Sequence, residues 1–313
     1  MNILVTGGAG FIGSHIQDRL ISLGHKVGII DNLRSGKIAN LNPKSKFFQV
    51  DIRDQQRIPE IFADFKPRAV FHLAAQNEVP YSMDHPLEDT DINILGTLNL
   101  LEAAKKSSLP KFIYSNTGGA YYGEVPEDHL PLSEDEPILK PTSFYGVSKA
   151  TAEQYFRLYG VVYHLPWVSL RYANVYGPRQ DGNREAGIVA IFTQRMLEGK
   201  IPTIFGDGGH TRDYVYVDDV VDANITALNY PKNDFFNIST GTAASNQTVF
   251  DTLKSALKSP ISPQYAPDRP GDVRHNSLSP AKAQKLLLWT PKTKFADGVR
   301  LTLKYYLKKP ALP

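Results

Sequence analysis

The sequence predicts an α/β fold, a doubly wound parallel sheet with a smaller, loop-rich α/β lobe, and three observations predict it. Short runs rich in β-branched residues alternate with longer stretches of helical period through the first half of the chain. Glycines cluster where the first such run gives way to the first helical stretch. Beyond Tyr172 the alternation loosens, and Pro178, Gly182, Gly187, Pro202 and the stretch from Gly206 to Gly209 break the chain into loops.

Taken in order, strands are expected at Asn2–Thr6, Lys26–Asp31, Lys46–Gln49, Ala69–His72, Lys111–Asn116 and Trp167–Tyr172. The clearest helices fall at Phe11–Leu23, Asp91–Lys106 and Tyr145–Gly160. In the second of these Ile94, Leu98, Leu101 and Ala104 recur at helical spacing and predict a buried stripe. Further on, helices are expected at about Ala190–Gly199, Asp219–Leu228 and Gln247–Leu257, with a strand at Phe235–Ile238. The pattern divides the chain into a dinucleotide-binding domain over residues 1–175 and a second lobe over 176–313, with the chain returning to the sheet around 210–240.

With 42% hydrophobic and 21% charged residues, 313 residues can build a sizeable core. The net charge of +3 comes from 35 basic and 32 acidic residues, and the basic ones never run beyond pairs such as Lys105-Lys106. A nucleic-acid or membrane-surface partner needs a dense stripe of one sign, so neither is expected. Without cysteine there is no thiol nucleophile or thiolate metal site, and the 8 histidines never fall at ligand spacing, so no metal is expected. The first predicted strand begins at Asn2, leaving no room for a signal h-region, and no apolar run approaches a membrane span; a cytoplasmic protein is the expectation.

Gly7-Gly8-Ala9-Gly10-Phe11-Ile12-Gly13 stands between the first strand and the first helix. Glycines there let backbone N–H groups approach a pyrophosphate whose charge the helix N-terminus also favours, as in a Rossmann-type sheet. Asp31 ends the second strand, where a carboxylate can accept from the adenosine ribose hydroxyls. That favours NAD over NADP, a preference that nearby Arg34 weakens slightly. Asp51 and Ile52, after the third strand, are within reach of the adenine, although an Asp at a strand end also serves as a turn or cap residue.

A tyrosine can move a proton near neutral pH only if its pKa of about 10 is lowered, and a cation one helical turn away has that effect. Tyr145 and Lys149 stand at i and i+4. Spacing alone is no evidence, because Tyr305 and Lys309 repeat it in the tail. What separates them is setting. Tyr145 follows a helix-start signal one βα unit after Ser115 to Ala120, which puts it at the carboxyl ends of the strands.

With these residues in view, the chain resembles the extended short-chain dehydrogenase/reductases of the NAD-dependent epimerase/dehydratase family, and among them the UDP-glucose (UDP-galactose) 4-epimerases. The matching stretches span nearly the whole length: Thr6 to Gly13, Asp31 to Leu33, His72 to Gln76, Asn93 with Gly96-Thr97, Tyr122 to Glu124, Tyr145 to Lys149, Leu170 to Gln180, Arg212 to Val215 and Arg269 to Asp272.

The resemblance implies an isomerase in which Tyr145 takes the sugar 4-hydroxyl proton while hydride passes to tightly bound NAD. The 4-keto sugar then turns over and receives hydride on its other face. Lys149 is implied to hold the nicotinamide ribose and to depress the Tyr145 pKa. The same resemblance puts NAD on Gly7, Gly10, Phe11, Ile12, Gly13, Asp31, Asn32, Asp51, Ile52, Leu73, Ala74, Ala75, Asn93, Tyr145, Lys149 and Tyr172. It puts a UDP-sugar on Asn174, Arg212, Arg269 and Asp272, with Phe205 against the uracil; a core aromatic is the alternative for Phe205 and a turn cap that for Asp272. Asn276 matches a position beside sugar C2, where a small side chain leaves room for an N-acetyl group. For Arg212 a surface ion pair with Asp213 is the alternative, and Asp218-Asp219 read as helix caps rather than paired acids. A homodimer built on the helices at Asp91–Lys106 and Tyr145–Gly160 is also implied.

One departure stands out. The family hydroxyl four residues before Tyr122 is here Gly118, so Thr117, the nearest hydroxyl, is expected to take its place. A 4,6-dehydratase would need an acidic pair where Gly119 and Ala120 stand, which disfavours dehydration. UDP-glucuronate remains an alternative epimerase substrate, and a non-catalytic dinucleotide-binding protein is the alternative of a different class.

Overall fold

The computed structural model describes residues 1–136, 141–182, 187–268 and 273–308. In chain order the strands are β1 (Asn2–Thr6), β2 (Lys26–Asp31), β3 (Lys46–Gln49), β4 (Ala69–His72), β5 (Lys111–Thr117), β6 (Trp167–Tyr172), β7 (Asn174–Tyr176), β8 (Thr203–Phe205), β9 (Thr211–Tyr216), β10 (Asp234–Ile238), β11 (Ala243–Ser245) and β12 (Gln264–Ala266). The helices are α1 (Phe11–Ser22), α2 (Arg57–Phe65), α3 (Val79–Asp84), α4 (Pro86–Thr90), α5 (Gly96–Lys105), α6 (Phe144–Tyr163), α7 (Ile188–Leu197), α8 (Val217–Asn229), α9 (Asn246–Leu257) and α10 (Phe295–Lys308).

Seven parallel strands form one sheet in the order β3-β2-β1-β4-β5-β6-β10. Its strands read as continuous apolar runs because both faces are covered. In β1 the pleat sends Ile3 and Val5 into a layer with Ile16 and Leu20 of α1 and Val220 of α8. Leu4 points the other way, among Ile61 of α2, Leu100 of α5 and Phe156 of α6. The order reverses between β1 and β4, which opens a crevice at their carboxyl ends. β10 is supplied by the later part of the chain, where a return to the sheet was expected.

A separate core of Tyr176, Phe192, Ile204, Tyr214, Phe250 and Leu303 holds the remaining strands to α7, α9 and α10. There β9 lies between β7 and β11, and β8 pairs with β12. The helix expected at Asp91–Lys106 differs from the prediction. It starts as a π-helical turn, Asp91–Leu95, after two short helices, α3 and α4, that each carry proline in the first turn. The extra residue in the π-turn rotates the start of the helix. Ile92 is therefore buried, Leu101 and Ala104 stay in the core, and Ile94 and Leu98 are only half-buried.

Candidate functional site

The crevice is built first by glycines. Gly7 has φ +70°, and a Cβ there would meet the Ala74 nitrogen at 2.7 Å; one on Gly13 would meet the Gly7 oxygen at 2.3 Å. Only glycine lets β1, α1 and the end of β4 approach so closely. No side chain caps α1, so its first N–H groups stay available to an anion. This uncapped helix over a glycine turn fits a pyrophosphate.

At the far end of the crevice Asp31 accepts from the Ala9 nitrogen at 3.0 Å and the Leu33 nitrogen at 2.8 Å. Burial raises its pKa and those two bonds oppose the rise. Asp51 is tied to Arg53, which brings its carboxyl to about 2 against the effect of burial, and it accepts from Asn32 Nδ2 at 2.8 Å. It also accepts from the Arg53 nitrogen as a turn residue. Asp31 and Asp51 are thus both held by hydrogen bonds at this end of the crevice.

The reacting end comes from α6. Ser143 caps this helix by accepting from the Gly146 nitrogen at 3.1 Å, and Tyr145 stands second in it. The Tyr145 nitrogen donates to Ser82 Oγ at 3.2 Å. Lys149, one turn on, is buried, with its Nζ 4.3 Å from the Tyr114 ring centroid. Both line the crevice with Ser115 and Asn116 of β5 and Tyr172 of β6.

The electrostatics differ from the expectation that Lys149 depresses the Tyr145 pKa. In the chain alone Tyr145 is pushed up, first by burial and then by the charge of Asp89, and a hydrogen bond from Thr117 is what opposes this. Lys149 is itself brought down to about 7 by burial, against the pull of Asp89 and Glu153. An amine held near neutrality is only partly protonated there, and burial and the Asp89 charge govern the phenol in the chain alone.

The position of the missing hydroxyl is tightly packed. A Cβ on Gly118 would stand 2.1 Å from Leu278 Cδ1 and 3.2 Å from the Tyr172 oxygen, so serine or threonine there would require the Leu278 side chain to shift. Thr117, one residue earlier, is the hydroxyl that acts on Tyr145, holding its pKa down against burial.

Of the residues expected at the cofactor, Gly7, Gly10, Phe11, Ile12, Gly13, Asp31, Asn32, Asp51, Ile52, Leu73, Ala74, Ala75, Tyr145, Lys149 and Tyr172 line this one crevice. Asn93 does not. It is buried behind the wall, accepting from the Gln76 nitrogen and donating to the Gln76 oxygen and to Asp89. Ile30, Ser35, Val50, Asn77 and Ile92 also line it, and none of them stands in a motif that marks it in sequence.

Asn174 opens β7, with its Oδ1 3.6 Å from where a Cβ on Gly119 would stand. Asn276 is buried, its nitrogen bonded to the Thr211 oxygen and its Nδ2 unpaired. Arg212, on β9, donates to the Thr211 oxygen at 2.9 Å. The pair with Asp213 does not form, because Asp213 is buried and accepts from Thr240 and Gly241. Asp218 and Asp219 share the first turn of α8, where Asp219 accepts from the backbone of Lys292 and Thr293. Phe205 ends β8. Arg269 and Asp272 lie outside the described residues. Among the described residues no group of acidic or histidine side chains could hold a metal ion, and no helix is long and apolar enough to cross a membrane.

Sheet order, glycine turn and Tyr–Lys pair together define an extended short-chain dehydrogenase. Residues 3–239 match the NAD dependent epimerase/dehydratase family, and the chain belongs to that family, with NAD as its cofactor. Its fold matches UDP-glucose 4-epimerase from Thermotoga maritima, solved with UDP-glucose, at 48% identity and a TM-score of 0.96 over 98% of this chain and 99% of that one. UDP-glucose 4-epimerase from Thermus thermophilus, solved with NAD, is 43% identical, TM-score 0.92, over 98% and 99%. UDP-N-acetylglucosamine 4-epimerase from Methanobrevibacter ruminantium, in complex with UDP-N-acetylmuramic acid, is 38% identical, TM-score 0.92, over 98% of each chain.

Proposed function

We propose that this chain is a UDP-glucose/UDP-galactose 4-epimerase that also accepts UDP-N-acetylhexosamines. The observation that carries the reading is Tyr145 beside Lys149, both lining the crevice that begins at the uncapped glycine turn. Bound NAD supplies a hydride acceptor and donor for sugar C4 and a positive charge beside the phenol. Tyr145 takes the 4-hydroxyl proton and returns it after the sugar has turned over. Thr117 donates to the oxygen that carries developing charge. Lys149, when protonated, adds positive charge next to that oxygen and donates toward the cofactor ribose.

In this reading residues 1–175 with β10 serve the cofactor, and residues 176–313 otherwise serve the sugar nucleotide. Asn174 and Arg212, with Arg269 and Asp272, meet the ribose and diphosphate, and Phe205 meets the uracil. Access for an acetylated sugar is supported by Asn276, a small side chain with an unpaired buried donor. A homodimer is supported by the apolar side chains that α6 leaves in water: Val147, Leu158, Val161 and Val162 are each at least 46% exposed. Sedimentation at micromolar concentration should give a dimer. A cytoplasmic location belongs to the same proposal.

The test is to incubate the holoenzyme, without added NAD, with UDP-galactose, UDP-N-acetylgalactosamine and UDP-glucuronate separately. C4-inverted product from the first two supports the reading; inversion of the glucuronate alone would transfer it to the alternative substrate. Thr117→Val should lower kcat for UDP-galactose by about 10²-fold with little change in KM. A loss under threefold would remove Thr117 from the reaction.

A further inference from the structure

Behind the crevice wall lies a carboxylate that the reaction as described does not use. Asp89, in α4, has no exposed surface. Its Oδ2 accepts from Ser148 Oγ at 2.6 Å, and its Oδ1 accepts from Gln76 Nε2 and Asn93 Nδ2, each at 3.0 Å. All three donors are neutral, and among the described residues no cation lies within ion-pair distance of it. Ser148 immediately precedes Lys149, so the bond at 2.6 Å fixes the turn of α6 that carries both reacting side chains. Ser82, in neighbouring α3, takes the Tyr145 nitrogen.

We propose that Asp89 is a positioning residue for the reaction: its buried carboxylate is the through-space counter-ion of Lys149 and anchors the first turns of α6 through Ser148. The proposal rests on the reading of Tyr145 and Lys149 as the reacting pair. Two carboxylates act on Lys149, Asp89 from α4 and Glu153 from its own helix. Glu153 is already paired with Arg171 of β6 at 2.5 Å, so much of its charge is neutralised locally. Asp89 has no such partner, and its field reaches the ammonium less diminished.

The other titratable groups around the pair are Tyr114 on β5, whose ring lies under Lys149, His72 on β4, held neutral by burial with a pKa of about 3, and Tyr172 on β6. Asp89 also acts on Tyr145 and Tyr114. Its charge stabilises the ammonium and disfavours the phenolate, so it raises both pKa values. Removing the charge without removing the shape must therefore lower both together.

The experiment is the pH profile of kcat/KM for Asp89→Asn on UDP-galactose, alongside the tyrosinate absorbance of the holoenzyme titrated against that of Tyr145→Phe. Both limbs of the profile should move to lower pH by about one unit, and the Tyr145 titration should move the same way. Asp89→Ser is the second variant that removes the charge, with room for water at the vacated oxygens. Ser148→Ala keeps the charge and loses one hydrogen bond, so its limbs should stay in place. A slower Asp89→Asn enzyme with unmoved limbs and an unmoved tyrosinate titration would overturn the proposal, leaving Asp89 a packing residue. Limbs that move equally in Ser148→Ala would overturn it too. Wild-type protein inert on every UDP-hexose would sink the epimerase reading instead, and the tyrosinate titration would still decide the role of Asp89.

Discussion

Tyr145→Phe is expected to lower kcat for UDP-galactose by on the order of 10³-fold and to leave the protein folded with its NAD in place. The substitution removes one hydroxyl and keeps the ring, so the packing of α6 is undisturbed. The Tyr145 nitrogen keeps its bond to Ser82, and Ser143 still caps the helix. The cofactor loses one contact among many, since the glycine turn and Asp31 hold the other end of the crevice. The reaction loses its proton acceptor. Thr117 is a far weaker acid or base, and the Lys149 ammonium lies over the Tyr114 ring, 4.3 Å from its centroid. Turnover by a coupled assay and NAD content by absorbance after unfolding check both halves of the expectation. A variant that keeps a tenth of wild-type kcat would show that another group moves the proton.

The residues whose structure was legible in advance are those with one dominant physical requirement. Ile3, Leu4 and Val5 are buried on both faces of the sheet, and such strands read as plain apolar runs. The glycines at 7, 10 and 13 and the Tyr145–Lys149 spacing were legible for the same reason, since close approach and a shared helix face leave marks in sequence. Helices α3 and α4 were not legible, because elements of 6 and 5 residues are too short to develop a period. Yet they supply Ser82 and Asp89, which hold the backbone and set the field of the reacting pair. Asn93 was assigned to the cofactor by the family resemblance, whereas the backbone of Gln76 and the carboxylate of Asp89 consume its amide. For Gly118 the departure from the family pattern was visible, but the side chain that packs against it, Leu278, comes from far along the chain.

Arg171 offered a signal that went unused, because a guanidinium inside a strand buried throughout must have a partner. The partner is Glu153, fully buried on α6, and Glu153→Leu is expected to destabilise the fold by about 3–5 kcal/mol. Glu153 accepts from Arg171 Nη2 at 2.5 Å, Ser169 at 2.7 Å, and Asn116 and Tyr121 at 2.9 Å each. Leucine would leave the guanidinium with the hydroxyls of Tyr121 and Tyr122 and the rings of Tyr121, Tyr122 and Phe235. Urea unfolding should give a lower midpoint at unchanged m-value, and adding Arg171→Met should restore part of the loss, because it removes the charge left unpaired. An equal or greater loss in the double variant would mean that shape, not charge, is what Glu153 supplies. The pH dependence has a defined sign. Burial alone would raise the Glu153 pKa, but Arg171, Ser169 and Asn116 together outweigh it and the carboxyl sits below its ordinary value. Its stabilisation is therefore complete above the unfolded pKa of about 4.3 and fades as pH falls through the lower folded value. Glu153→Leu should flatten the acid side of the stability curve. Asn116 links this network to the chemistry: it donates to Glu153 and accepts from the Thr117 nitrogen at 2.8 Å, so loosening it should also lower kcat, in the same direction as Thr117→Val and by less.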